Sequence, residues 1–395
     1  MNILRFDYHL FGEKLRSYAA TIARKRSSMQ SRLVPALIVC LSIACALGSA
    51  QEKSNARLCG RVVDDSTGAP IVNANVFITS SMLGTSSDSS GRFEIRNVPP
   101  GSCELTASCI GYSLSTAKVQ PLAGADLEIE MRLKPRNLSF GVVEVTAPRS
   151  PAWRNSLEAF TKLLLGSTPE VSECRILNPE VLHFFGDASG HFEAEADQEL
   201  TIDNLALGYR VHLSLGSFSF DGHWVSTVWK VRYEELRASD VDQQTGWGEG
   251  RERAYAGSLR HFLVALTDGT LEENGFAMMN GASPREMLSN TWFYGLKGRD
   301  IARQSTADQW LIRFKGPLVV VNDRTQVEVG YVPGHGASTS GWRSEISTLE
   351  LLKGSVLVDA RGQILDQLAV RVGGDWGKDG LAKHLPLEFQ PRWKR

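Results

Sequence analysis

The stretch Leu58-Cys59-Gly60-Arg61-Val62-Val63 reads as a strand, and Asp64-Asp65-Ser66-Thr67-Gly68 after it reads as a turn. Ala74-Asn75-Val76-Phe77-Ile78 is the next strand. Asp88-Ser89-Ser90-Gly91 then turns into Arg92-Phe93-Glu94-Ile95, where Phe93 and Ile95 share one face. Pro99-Pro100-Gly101 breaks the chain, because proline fixes φ and lacks a donor while glycine accepts a positive φ. Cys103, Leu105, Ala107 and Cys109 alternate with Glu104, Thr106 and Ser108, giving one buried face and one wetter face. Asp126 to Lys134 repeats the device with Leu127, Ile129, Met131 and Leu133 inward. About seven short strands in some 80 residues predict a β-sandwich.

The turns and strands also carry a resemblance. Cys59-Gly60-Arg61-Val62-Val63-Asp64, Thr67-Gly68-Ala69-Pro70-Ile71, Asn75-Val76, Ser90-Gly91-Arg92-Phe93 and Ile110-Gly111-Tyr112 occur in order and at matching spacing. Together they resemble the carboxypeptidase regulatory-like domain, a transthyretin-like sandwich. The resemblance implies a module found at the N-terminus of exported bacterial proteins, TonB-dependent receptors among them. It is similar to carbohydrate-binding folds and has no catalytic residues of its own. Spacer and ligand-binding module both stay open, because fold does not fix function.

Working outward, residues 136–152 form a linker. In it Val142-Val143-Glu144-Val145-Thr146-Ala147 resembles the stretch that follows this sandwich in TonB-dependent receptors. About 245 residues remain after the linker begins to close, too few for a receptor's plug and barrel. Composition shifts here as well, since all nine tryptophans lie at or beyond Trp153. Residues 153–395 therefore read as a second region, α+β, strand-dominated and antiparallel, and the chain as a whole as mainly β. Trp153, Leu157, Phe160, Leu163 and Leu164 recur at helical spacing, predicting a helix over 153–165 that ends near Gly166. Tyr255, Leu259, Phe262, Leu263 and Leu266 predict a second helix over 251–266. Between them, Val181 to Phe220 reads as hairpins and Val225 to Tyr233 as their partner strand. Strands also follow at 311–314, 318–321, 346–351 and 356–358. Cys174 to Leu182, Leu207-Gly208-Tyr209, Arg253 to Ser258 with His261-Phe262-Leu263, and Leu385-Pro386-Leu387-Glu388-Phe389 resemble a group of exported Bacteroidetes-type proteins carrying the same regulatory-like domain. That resemblance implies an architecture and an address but no reaction.

Leu33 to Leu47 is the one long apolar run; it falls short of the roughly 20 residues a membrane-spanning helix needs. Arg32 precedes it and Gly48-Ser49-Ala50 follows, so residues 1–50 read as a signal region with cleavage after Ala50. A single membrane anchor is the alternative. A lipoprotein signal ending at Cys45 is weaker, because apolar Ala46-Leu47 follows that cysteine. Met29 is the expected true start, since it would give a short basic n-region. Net charge is −1, but the first 50 residues hold seven basic and two acidic side chains, so the remainder is acidic. That argues against a nucleic-acid partner, which would require a basic face. Cys59, Cys103, Cys109 and Cys174 remain beyond the signal. On one continuous strand Cys103 and Cys109 would be about 20 Å apart, too far to bridge. Buried free thiols are the plain reading.

Residues able to carry chemistry are present but do not assemble into a motif. The histidines beyond the signal are His183, His191, His212, His223, His261, His335 and His384. None has Glu three residues on, and none begins a His-x-x-x-His, so the zinc site that a carboxypeptidase would need is not indicated. Gly186-Asp187-Ala188-Ser189-Gly190 fails the spacing of a nucleophile elbow and reads as a hairpin turn. Gly373-Gly374-Asp375-Trp376-Gly377-Lys378-Asp379 lacks the first glycine of a phosphate loop and ends in a repelling carboxylate. Glu193, Glu195, Asp197 and Glu199 alternate as a row for a divalent cation would, although such rows are usually solvated strand faces. Trp224, Trp229, Tyr233, Trp247 and Trp292-Phe293-Tyr294 suit stacking on sugar rings and equally suit core packing. His261 and His212 read as core or boundary residues.

The expectation is a non-enzymatic exported protein of the periplasm or outer-membrane surface. It would bind a glycan, a polymer or an envelope protein partner, with no membrane-spanning helix beyond the signal. No catalytic, metal or cofactor residue is assigned, and ligand-binding residues are left open. Two alternatives stand beside it. One is an envelope hydrolase with a site assembled within residues 170–395, marked by a pocket of convergent acids and histidines. The other is an accessory component of a TonB-dependent uptake system.

Overall fold

The computed structural model describes residues 55–136, 150–186, 190–280, 296–328 and 342–394. The signal region, most of the linker, the Trp292-Phe293-Tyr294 run and His335 lie outside the described residues.

Strands β1 (Ala56–Asp64), β2 (Asn75–Ile78), β3 (Gly84–Ser86), β4 (Arg92–Val98), β5 (Cys103–Ser108), β6 (Ser115–Val119) and β7 (Asp126–Leu133) form two sheets, ordered β4-β1-β7 and β3-β2-β5-β6. This is the β-sandwich that the alternation predicts. The turn chemistry sets its corners. Asp88 Oδ1 accepts the backbone N–H groups of Ser90 and Arg92. Gly91 follows at φ 74°, where a Cβ would stand 2.6 Å from the Val62 carbonyl oxygen. Leu58, Val62, Val76, Phe93, Ile95 and Leu105 are buried in the core.

Two expectations for the sandwich are corrected. Of the four inward residues of β7, Met131 and Leu133 are buried, but Leu127 and Ile129, in the first half of this edge strand, are only half-buried. On the wetter face of β5, Glu104 and Ser108 are half-buried as expected, but Thr106 is fully buried, its hydroxyl 2.7 Å from that of Thr79, and Glu104 beside it pairs with Lys230 of the C-terminal region.

The C-terminal region begins with helix α1 (Pro151–Leu165). Ser150 caps it by accepting the Trp153 N–H at 3.0 Å, and Pro151 supplies a preset φ at its first turn. Phe160 packs edge-on against Phe218 and Phe184, which fastens the helix to an antiparallel sheet. That sheet comprises β8 (Cys174–Ile176), β9 (Leu182–Gly186), β10 (Phe192–Ala196), β11 (Leu200–Asn204), β12 (Tyr209–Phe220) and β13 (Val225–Glu235). β10 and β11 both pair with the long β12, and β13 runs along its whole length.

The single helix expected over 251–266 is two helices, α2 (Val241–Tyr255) and α3 (Leu259–Asp268). The apolar spacing runs on across the gap, but the backbone does not. Gly257 takes φ 75°, a conformation that residues with a Cβ rarely adopt, and Ser258 caps α3 by accepting the His261 N–H. The remaining strands are β14 (Phe276–Asn280), β15 (Ala302–Gln304), β16 (Gln309–Ile312), β17 (Leu318–Glu328), β18 (Trp342–Leu351), β19 (Val356–Asp359) and β20 (Val370–Gly374). They form antiparallel sheets ordered β14-β17-β18-β20 and β15-β16-β19. Residues 153–395 thus carry two hydrophobic clusters, one around Phe160, Phe184 and Phe192, the other around Phe262, Leu318 and Trp376.

The sandwich is bonded to this region rather than tethered beside it. Ser80 donates its N–H to the Val231 carbonyl of β13 at 2.7 Å, and Tyr233 returns one to Ser81 at 2.9 Å. Leu387 N–H reaches the Ser80 carbonyl, and the Glu388 carboxylate accepts the Met82 N–H. At a second point Asp308 accepts the Ser102 N–H, and Arg361 donates to the Ser102 carbonyl at 2.6 Å. Among the described residues no helix is long and apolar enough to cross a membrane.

Candidate binding cleft

Residues of this seam also line an open space. β5 and β6 of the sandwich face β13, the start of β16 and segment 363–368 across a cleft of about 380 Å³. The register of β5 puts Glu104 on the face turned toward β13, where its carboxylate accepts from Lys230 Nζ at 2.6 Å and from Thr79 Oγ1 at 3.0 Å. Segment 363–368 hangs from a tight turn in which Asp359 Oδ1 accepts the N–H groups of Arg361 and Gln363. Asp366 is held by Lys353 at 2.7 Å, and that hydrogen bond keeps its carboxyl below the usual carboxylate range.

Lys118, Lys230, Glu104 and Asp366 are the charged lining residues, two of each sign. Glutamines supply most of the remaining polar wall. Gln309 Nε2 donates to Ser102 Oγ at 2.7 Å. The carboxamides of Gln120, Gln363 and Gln367 make no hydrogen bond to another described residue. Val119, Val228 and Ile364 supply apolar surface. Burial pushes the Cys103 thiol up to about 11, so it stays protonated and is a poor nucleophile. The lining can give and take hydrogen bonds and make apolar contact.

The structure scatters the residues singled out in the sequence. His384 accepts or donates a hydrogen bond with the Tyr233 hydroxyl, and burial, with Arg260 nearby, pushes its imidazole down to about 4. His261 is buried, its Nδ1 accepting the Gly257 N–H and its Nε2 3.0 Å from Asn274 Oδ1. His212 lies in β12 beside Glu234, lowered by burial and then by Arg232. Glu193 and Glu195 are the exposed alternating positions of β10, a solvated strand face. Glu195 pairs with Arg136 and Asp197 with His183, while Glu199 accepts from Asn75 and Ser214. Among the described residues no three His, Cys, Asp or Glu side chains gather as a metal site would require. In the glycine-rich 373–379 stretch, buried Asp375 accepts the Ile346 N–H and pairs with Lys378, which makes the loop a structural corner.

Of the aromatic candidates, Trp247 is buried with its Nε1 on the Leu205 carbonyl, Tyr233 is buried, and Trp229 packs partly buried on the core. Trp224 is half-exposed, with the Arg371 guanidinium 4.5 Å from its ring centre. The four cysteines among the described residues are free thiols, but only Cys103 is buried; the other three are half-buried, a correction to the expected burial.

Sequence reasoning missed the glutamines and Arg260. Neutral amides in loops have no periodicity to betray them. Arg260 lies in the first turn of an apolar helix and donates to the carbonyls of Arg361, Pro386, Leu387 and Phe389. The one available signal was a lone cation within an otherwise apolar helical face.

Residues 57–134 match the family model of the carboxypeptidase regulatory-like domain, so the motif-based identification holds for that module. No curated protein matches the chain. Among solved structures, a type II cohesin–X-dockerin complex from Acetivibrio cellulolyticus is similar at 22% identity, covering 29% of this chain and 79% of that one, with a TM-score of 0.19. A DUF3823 family protein from Parabacteroides merdae matches at 10% identity over 46% of this chain and 81% of that one, TM-score 0.17. A candidate carbohydrate binding protein from Bacteroides uniformis matches at 8% identity over 46% of this chain and 100% of that one, TM-score 0.17.

Proposed function

We propose that this chain, whose residues 57–134 are a carboxypeptidase regulatory-like domain, is an exported envelope protein that binds its partner in the cleft between sandwich and C-terminal region and does not turn it over. The observation that carries the reading is the state of the cleft's ionisable groups. Glu104 is tied to Lys230 and Thr79, Asp366 to Lys353, and the Cys103 thiol is held protonated by burial. A hydrolase requires an acid, base or nucleophile within reach of the substrate and titrating near its working pH. Here those groups serve the wall, while the amides face the space.

The address rests on the leader: a basic residue, a short apolar run and small residues at the cleavage point. Protein recovered from the periplasmic or outer-membrane fraction should begin at Gln51; recovery from the cytosol with an intact leader overturns the address. For the cleft, Leu368→Trp places a large ring in it from an exposed position. Immobilised protein should retain an envelope polymer or envelope protein fraction, and L368W should release it. Retention unchanged in L368W overturns the cleft as the binding place. Steady turnover of any such fraction, abolished by Glu104→Gln, overturns the non-enzymatic reading.

A further inference from the structure

Resting on the cleft as the binding place, we infer that its occupant is an uncharged glycan, with Trp224 as a stacking platform beside the cleft. The charges argue for neutrality. Two lysines and two carboxylates line the space, and each carboxylate already has an ammonium partner, Glu104 with Lys230 and Asp366 with Lys353. A cationic ligand would have to compete with these pairs, and a polyanion would find only Lys118 outside an ion pair among the described lining residues, whereas an uncharged ligand leaves all of these charges as they are.

The amides argue for hydroxyl groups. A carboxamide offers donors on nitrogen and an acceptor on oxygen, and a sugar hydroxyl both gives and takes. Gln120, Gln363 and Gln367 present unengaged carboxamides, and Gln309 keeps its oxygen after donating to Ser102. Val119, Val228 and Ile364 offer an apolar surface for the C–H faces of the rings.

Trp224 gives the third observation. It lies four residues before cleft-lining Val228, and Arg371 lies three residues after cleft-lining Leu368, so both segments that carry the platform run into the cleft. The Arg371 guanidinium sits over the ring and is itself paired with Glu350 at 3.3 Å, which orients the indole before any ligand arrives. A peptide, by contrast, is recognised by strand addition and pockets for alternate side chains; a row of carboxamides beside an oriented ring suits a sugar chain better.

Calorimetric titration of the full exported protein tests this, with cello-, malto- and manno-oligosaccharides as neutral probes. Oligogalacturonate, chitosan oligomers and a mixed peptide pool are the comparison probes. At least one neutral series should bind with an affinity insensitive to salt. Gln363→Leu and Gln367→Leu should each weaken it about tenfold, the equivalent of one net hydrogen bond. Trp224→Ala should weaken it several-fold, and all three variants should keep the wild-type urea midpoint. Binding only of the galacturonate, chitosan or peptides, abolished by L368W, overturns the neutral glycan but leaves the cleft reading standing. Neutral-sugar binding that ignores L368W overturns both. Failure of every oligosaccharide to bind overturns the glycan.

Discussion

Two stretches of the seam between sandwich and C-terminal region use similar residues and reach opposite states. Around Ser80–Met82, the polar groups of Arg260, Tyr233, His384 and Glu388 are spent on backbone atoms or on one another. Around Ser102–Glu104, paired ions form the wall and glutamine amides are left facing open space. Polarity is common to both, so it does not distinguish glue from binding surface. What distinguishes them is whether each donor and acceptor already has a partner, since an unsatisfied buried group costs free energy while one at an open cleft is available to a ligand.

The strongest way to break this comparison is Arg260→Leu. The change removes donors to four carbonyls, on Arg361, Pro386, Leu387 and Phe389. Leaving such groups unpaired should cost about 3 kcal/mol or more. Gln363→Leu, in the cleft, should move stability by no more than about 0.5 kcal/mol. Urea midpoints of the two variants decide it. Similar losses in both would mean that the cleft glutamines are structural too, and the contrast would disappear.

Acid sharpens the same contrast, because His384 belongs to the glue. Its imidazole titrates at about 4 in the folded protein, below the ordinary value of 6.5. The unfolded chain therefore takes up the proton first. The associated stability is present above about pH 6.5 and is lost as pH falls toward about 4, by up to about 1.4 kcal/mol per pH unit. Replacing His384 with Gln should flatten the pH dependence of the urea midpoint across that window. Tyr233→Phe, which removes the hydroxyl that meets His384, should cost about 1–2 kcal/mol at neutral pH. An unchanged slope in His384→Gln would place the acid sensitivity in other groups.

How much of this could be read from residues alone follows from the same distinction. The sandwich was legible because its strands alternate and its turns use Asp88, Gly91 and Pro99-Pro100, whose conformational preferences are local. Helix α1 was legible from Trp153, Leu157 and Phe160 ahead of a Gly stop, although it starts two residues earlier than that spacing predicts, at Pro151. The break between α2 and α3 was hidden because Leu259 and Phe262 continue the apolar spacing of Tyr255, while the break is made by backbone geometry at Gly257. The buried hydroxyl of Thr106 was illegible for another reason: nothing near it in the chain says that Lys230 will arrive on that face of β5. The cleft shares that property, since β5, β13 and segment 363–368 meet only through tertiary packing.

A modest expected effect tests whether the ion pair in the cleft wall is glue after all. Glu104 and Lys230 meet at 2.6 Å with side chains 19% and 15% exposed, between a surface pair and a fully buried one. Exposed pairs contribute about 0.2–1 kcal/mol, and removing one member of a buried pair costs about 3–5 kcal/mol. Lys230→Met should therefore destabilise by about 1–2 kcal/mol, because it strands the Glu104 carboxylate beside Thr79. Adding Glu104→Gln should recover most of the loss, since the amide keeps a bond to the Thr79 hydroxyl without a charge to desolvate. A double-mutant cycle in urea measures the coupling. A coupling as large as the Arg260→Leu loss would move this pair into the glue and leave the glutamines and Lys118 as unspent polar groups of the cleft.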